Sequence, residues 1–403
     1  LDERCLEAGI GCDVLAIPHN SNLSNGNLFA PEYPRGYRGE QEREAMRLRA
    51  KMEPLFEVYQ HKSDSECMNG LAGSLGAPDE MCDFEKYHDS ESFDCNGEPG
   101  SLGMSGGGCV DGQDFVRNVL VRGLEEEART GINPYKLGLL AATDTHNGTP
   151  GAVSESDWVG HVGVNDVTLT GRMEEDTLPP GGWRYSPGGL MGVWAQENSR
   201  DAIFMAMQRR EVWGTSGPRI VTRFFGGWDL PSNICNDPEL VTVGYERGVP
   251  MGSDMRSRSG HGAPRFVVTA LRQPDVDGLV ATPLERIQIV KGWVDSSGQT
   301  GVQVFDVAED PGATYSIDPA TCEVTGHGAD SLCAEWEDPD FDPKARAYYY
   351  VRILEYPTCR WNKLACLRIP PSERTPDCDR NDIPTMIRER AWTSPIWYSD
   401  EES

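Results

Sequence analysis

The sequence predicts a two-part α/β chain, with strands and helices alternating over residues 1–217 and a strand-rich, sandwich-like part over 218–403. Three observations predict it. Short apolar runs in the first part stop at polar tips and are separated by charged, helix-favouring stretches. Leu137-Gly138-Leu139-Leu140-Ala141-Ala142 is apolar on both faces, as in a parallel strand covered by helices. Beyond Gly217-Pro218, β-branched and aromatic runs recur between turn signals and no helical period stands out.

In order along the chain, a helix tail is expected to end at Gly9, before a buried strand over Asp13-Val14-Leu15-Ala16-Ile17 that stops at Pro18-His19-Asn20. Glu40 to Met52 favours helix until Pro54, and Leu55-Phe56-Glu57-Val58-Tyr59 then reads as a strand ending at Gln60-His61-Lys62. Gly, Asp, Glu, Ser and Cys dominate residues 67–113, which read as a loop insertion pinned by disulfides. Asp114 is placed to cap a helix carrying Phe115, Val116, Val119, Leu120 and Leu124 and ending near Gly131, and Ser199 to cap one over Arg200 to Val212. In the second part, strands are expected over Arg219 to Phe225, Arg265 to Leu271, Arg286 to Val294, Val302 to Val307, Ala347 to Leu354 and Trp392 to Tyr398. Ile287, Ile289 and Trp293 alternate with Gln288 and Lys291, the pattern of a sheet with one wet face.

Composition narrows the function classes. The chain has no run of about 18 apolar residues, so no membrane span is expected. Its 37 basic residues face 64 acidic ones, a formal charge of −27, which opposes a diffuse grip on nucleic acid or an anionic membrane. An anionic substrate would need a local cation. Twelve cysteines without any C-x-x-C pair argue against zinc ribbons and for disulfides, and so for a periplasmic or secreted protein. Close-set candidates are Cys5 with Cys12, Cys322 with Cys333, and Cys359 with Cys366 or Cys378. The start at Leu1-Asp2-Glu3-Arg4, lacking Met and a signal segment, reads as a mature or proteolysed product.

The strongest local motif is Asp144-Thr145-His146 at the carboxyl end of the doubly apolar strand, where loops converge over a sheet. A carboxylate and an imidazole two residues apart point the same way and can bind one divalent ion; the bland alternative is an Asp capping the next turn. His19 follows another apolar run, as ligand or as hydrogen-bonded structural residue. Glu57 is a charge inside a strand that otherwise reads as buried, which is costly unless paired or metal-bound. His61, Lys62, Asp64 and Glu66 read as site residues or, more simply, as a solvated loop. Gly103-Met104-Ser105-Gly106-Gly107 matches G-x-S-x-G only as a string, without the strand and helix of a nucleophile elbow. Gly214-Thr215-Ser216-Gly217-Pro218-Arg219 offers the materials of an anion pocket or a plain tight turn.

Taken together, Val14 to Asn22, Phe56 to Lys62, Thr143-Asp144-Thr145-His146-Asn147, Gly188 to Asn198 and Thr215 to Arg219 resemble one bacterial family. It is the domain-of-unknown-function family thirty-six-oh-four, a branch of the PHP (polymerase and histidinol phosphatase) superfamily. Tyr348 to Arg352, Cys359-Arg360-Trp361 and Ala391 to Trp397 resemble its usual C-terminus, and the resemblance covers essentially the whole chain. It implies the C-terminal portion of a distorted (β/α) barrel over 1–217, followed by the sandwich-like domain, with two or three divalent transition metals (Zn, Mn or Fe) for phosphoester hydrolysis. By the superfamily pattern the metal ligands are His19, Asp144 and His146, and Glu57 matches a glutamate that follows the His19 position; from the reading of the residues themselves, Asn20, His61, Ser216 and Arg219 are candidates for supporting or substrate-binding positions. The catalytic residues themselves are not assigned.

The superfamily's opening H-x-H and Asp-His elements have no counterpart here, since His61, His88, His161, His261 and His327 are singletons. A missing N-terminal segment or a cleaved partner chain is therefore expected to complete the barrel. The resulting expectation is an exported metal-dependent hydrolase acting on a small anionic substrate; the alternative is a non-catalytic envelope or assembly subunit that keeps the scaffold. A homo-oligomer is left open.

Overall fold

The computed structural model describes residues 5, 11–30, 36–88, 92–103, 108–174, 182–257, 262–276 and 280–399. The helix tail before Gly9 and the glycine string at Met104 to Gly107 lie outside the described residues.

Charged helix α1 (Glu40–Met52) ends before Pro54 and leads into β1 (Leu55–Gln60) and the short β2 (Ser63–Asp64). The remaining first-part elements are α2 (Val116–Thr130), β3 (Gly138–Ala141), α3 (Leu169–Met173), β4 (Leu190–Val193), α4 (Arg200–Gln208) and β5 (Val212–Thr215). After them come β6 (Val221–Gly227), α5 (Leu240–Arg247), β7 (Val249–Pro250), β8 (Asp254–Arg256), β9 (Arg265–Leu271), β10 (Leu284–Val294) and β11 (Thr300–Glu309). The chain closes with β12 (Ser316–Ile317), β13 (Val324–Thr325), β14 (Ser331–Glu337), β15 (Arg346–Glu355), β16 (Thr358–Cys359), α6 (Trp361–Leu367), β17 (Met386–Ile387), β18 (Arg390–Thr393) and β19 (Ile396–Ser399).

Several expected elements change. Asp13 to Ile17 forms no strand; the segment runs alongside β1 on isolated bonds, from Ala16 N–H to Met52 O (2.7 Å) and from Glu57 N–H to Pro18 O (3.2 Å). Asp114 does not cap α2. It lies in a 3-10 turn that Asp111 caps, and its buried carboxylate instead receives Ser24 Oγ (2.5 Å) and Gly26 N–H (2.8 Å), tying down the loop beyond His19. Ser199 does cap α4, but Arg210 in the left-handed region turns the chain and Val212 opens β5. Helices α5 and α6 are only 8 and 7 residues long, too short for a helical period to show. Ser394-Pro395 splits the last apolar run into β18 and β19.

Strands β2-β1-β3 make one sheet in which β1 and β3 run parallel, Phe56 opposite Leu139 and Glu57 opposite Leu140. A larger sheet runs β11-β10-β15-β18-β5-β4, with β19 on β15, and a third runs β14-β9-β6-β7. Strands from both sides of residue 217 therefore share one sheet. None of these sheets closes into a barrel among the described residues. One face of the large sheet, with Val290, Tyr348, Tyr350 and Trp392, packs on Val116, Val119, Leu120 and Leu124 of α2 and on β1 and β3. Its other face, with Ile287, Ile289, Tyr349 and Val351, packs on Phe224, Phe266 and Val268 of the third sheet.

With both faces covered, the expected wet face does not exist. Gln288 and Lys291 are buried and paired instead, Gln288 Oε1 accepting from Arg352 Nε (2.8 Å) and Lys291 Nζ meeting Asp338 (2.6 Å). This follows from the cost of burying an unpaired polar group.

All 12 cysteines are paired. Cys5–Cys12 is as expected, and Cys67–Cys82 and Cys95–Cys109 pin the 67–113 insertion. The other proximity guesses fail: the pairs are Cys235–Cys333, Cys322–Cys359 and Cys366–Cys378. Tertiary structure decides them. Cys333 lies on β14 beside the 3-10 turn Ile234–Asn236 that holds Cys235, while Cys322 at the β12/β13 hairpin tip reaches Cys359 on β16. Six disulfides suit an oxidising compartment. No helix among the described residues is long and apolar enough to cross a membrane.

Candidate metal centre

Because β1 and β3 are parallel neighbours, their carboxyl ends deliver Gln60-His61-Lys62 and Asp144-Thr145-His146 to the same place. The extended segment beside β1 brings His19 to it as well. Asp144 adopts a left-handed backbone (φ 51°), which Asp tolerates better than most residues, and its Oδ2 is the focus of the group. His61 Nε2 lies 3.2 Å from that oxygen and His19 Nε2 3.7 Å from it; Gln60 Nε2 donates to it (2.9 Å), and the Lys62 ammonium donates to it as well. Lys62 Nζ also lies 3.4 Å from His61 Nε2.

Ligand atoms of His61, Asp144 and His146 lie within 4.8 Å of one another. Ligands at about 2.1 Å from one ion span up to about 4 Å, so small side-chain rotations close the set. Two imidazoles and a carboxylate suit Zn, Mn or Fe, and the Lys62 ammonium already stands among them as a positive charge. The residues present fit a metal.

Support comes from behind. Buried Glu57 accepts from Asn20 N–H (2.9 Å) and holds His19 Nδ1 (2.9 Å), which turns His19 Nε2 toward Asp144. The hydrogen bond to Glu57, working against partial burial, raises the His19 pKa. Burial opposes ionisation of Asp144, but the hydrogen bonds from His61 and Lys62 outweigh it and hold the carboxyl well below the usual range. His61 is 1 % exposed, with the rings of His146, His161 and Tyr185 at 5.4, 5.9 and 5.3 Å, and burial pushes it down to about 4 despite Asp144. It therefore carries a neutral imidazole at pH 7, the form a metal needs.

A pH effect follows for chelator-treated protein. The unfolded imidazole protonates near its ordinary 6.5 and the folded one near 4, so the unfolded state binds more protons between these values. Stability is expected to fall by up to about 3 kcal/mol as pH drops through that window. Urea midpoints at both ends of the window should differ less in His61→Asn than in the parent; equal pH slopes would refute the assignment.

The solvated-loop reading of residues 61–66 does not hold, since all but Lys62 are buried. His61 faces the Asp144 group, and Asp64 and Glu66 face an ionic core. Ser216 and Arg219 make their contacts elsewhere: the Ser216 hydroxyl is bound to buried Glu389, and exposed Arg219 lines a cavity of about 560 Å³ with Glu155, Glu355 and Glu389. Gln60, Lys62 and His161 join the site; no motif or spacing marks His161, whose Nε2 meets Pro187 O (2.9 Å) and whose backbone carbonyl accepts from His146 N–H (2.7 Å). For Gln60 and Lys62 the sign was their place beside His61 at a strand end.

No curated protein and no solved structure matches the chain. A family model does, over residues 1–400, with the description "Protein of unknown function (DUF3604)". Matched along nearly its whole length, the chain belongs to the DUF3604 family.

Proposed function

We propose that the protein is an exported, periplasmic or secreted, metal-dependent hydrolase of PHP type, a phosphoesterase, binding two or three divalent transition metals. The observation that carries this reading is the convergence of His61, Asp144 and His146, with His19 alongside, at the ends of two parallel strands. His61, Asp144 and His146 would hold a metal, with His19 as a further ligand; when bound, metals supply activated water and neutralise phosphoryl oxygens.

The chain's own residues have separable tasks. Glu57 fixes the ring of His19, Gln60 orients the Asp144 oxygen it donates to, and burial against Tyr185 keeps the His61 lone pair free of a proton. Lys62 is 18 % exposed at the side chain, so it can turn from Asp144 toward an incoming anion and supply a local cation at this site in a chain of charge −27.

One observation favours a second reading. The Lys62 ammonium sits on Asp144 and so can stand in for a metal permanently, as in a non-catalytic envelope or assembly subunit. Elemental analysis of the natively purified protein separates the two: the hydrolase should carry two or more Zn, Mn or Fe per chain and release phosphate from simple aryl phosphates, whereas the subunit should carry none.

A further inference from the structure

Behind the insertion lies a buried ionic cluster with an uneven charge count. Arg117, Arg352, Arg390 and Lys86 face only Asp64, Glu66 and Asp79. Arg117 and Arg352 each reach two carboxylates at 2.9–3.0 Å, and Lys86 is held by Asp64. Arg390 is the one left over. It is 2 % exposed, its nearest ion-pair partner among the described residues is Glu66 at 3.9 Å, and its guanidinium donates to Met81 O (2.9 Å) and lies 3.8 Å over the Phe84 ring.

This surplus charge borders a cavity of about 850 Å³ whose wall includes Arg390, Lys86, Arg184 and Arg388, with Trp183 and Met386 as apolar surface. The wall carries five basic residues against three acids: Glu80 is paired with Arg286 (2.5 Å) and Glu85 with both arms of Arg360 (2.7 Å each), exposed Asp83 accepts only from the neutral Asn69 amide (3.2 Å), and Arg388 is paired with Glu285 (3.1 Å). A positive interior is the opposite of what a chain of charge −27 presents elsewhere. In a low-dielectric wall such a field acts strongly on an ion that enters.

We propose that this cavity binds a small organic anion, with its oxyanion head toward Arg184 and the Arg390 surplus and its apolar body against Trp183 and Met386. The site is separate from the Asp144 group but abuts it, because Trp183 and Arg184 lead directly into Tyr185, whose ring packs on His61.

The test is calorimetric titration of the full chain with benzoate, benzenesulfonate and, as cationic control, benzylamine, in chelator so that the outcome does not depend on the metal reading. Benzoate or benzenesulfonate should bind saturably and benzylamine should not. Arg184→Glu, which reverses a half-buried wall charge, and Met386→Trp, which pushes a bulkier ring into the place of the ligand's apolar body, should each weaken binding about tenfold or more, a change of about 1.4 kcal/mol. Circular dichroism checks that both variants fold. Absence of anion binding, equal binding of benzylamine, or unchanged affinity in both folded variants overturns the proposal.

Discussion

Replacing Glu66 with Ala is expected to destabilise the protein by about 3–5 kcal/mol, the cost of removing one partner from a buried ion pair. Glu66 is fully buried, and its Oε1 accepts from Arg117 (3.0 Å), Arg352 (3.0 Å) and the Tyr350 hydroxyl (2.7 Å), while Oε2 accepts from Trp392 Nε1 (2.7 Å). These donors come from α2, β15 and β18, so one carboxylate ties the covering helix to the large sheet. Its loss leaves Asp79 alone against two guanidiniums in the core. Burial works against ionisation here, but Arg352 and Arg117 outweigh it and hold the Glu66 carboxyl far below its ordinary 4.5. The contribution is therefore intact above about pH 4.5 and lost progressively on acidification below it. Urea unfolding at neutral pH measures the effect; a loss under about 1 kcal/mol, the scale of exposed pairs, would mean that the cluster does not hold the layers together.

Asp144→Asn is expected to weaken metal binding more than about 100-fold, the upper end of what loss of an outer-shell partner costs, because it removes the anionic ligand on which the other donors converge. Lys62→Met should act in the opposite direction and tighten binding by about tenfold, since a tethered ammonium no longer competes for the same oxygen. Competition against a fluorescent chelator reads both. Weaker binding in Lys62→Met would show that the lysine organises the carboxylate; equal binding in parent and Asp144→Asn would remove Asp144 from the site.

The sequence made some of this legible, for physical reasons. Doubly apolar β3 and the breaker Pro54 before β1 announce buried strands directly, and the polar residues at their ends mark where side chains gather. Asp144 and His146 could be named on that basis, whereas His19 follows an apolar run that forms no strand and runs beside β1 instead. His161 could not be named, and for Lys62 only its place beside His61 was legible, not its partner, which depends on which strands become neighbours: Asp144 meets Lys62 across 82 residues. Gln288 misled for a related reason, while Lys291, two residues from Ile289, shares that residue's face and never stood on the opposite one. Alternation reports polar positions, but only the packing of a second layer shows whether water or an ion pair satisfies them. The disulfides follow the same rule, as Cys235 finds Cys333 across 98 residues while nearer cysteines pair elsewhere.

Ser394 is placed between the two sheets in a way that bears on synthesis. Its hydroxyl donates to Val212 O (2.7 Å), 182 residues upstream, and accepts from Leu139 N–H (3.1 Å), 255 residues upstream, next to strand β18, which lies between β15 and β5. A ribosome adding about 5–20 residues per second makes the strands that lead into His61 and Asp144 well before the segment that seats them. For that interval β3 and β5 lack their late neighbour. The seating of β3 and β5 on each other through this hydroxyl therefore waits for the last segment of the chain to be made.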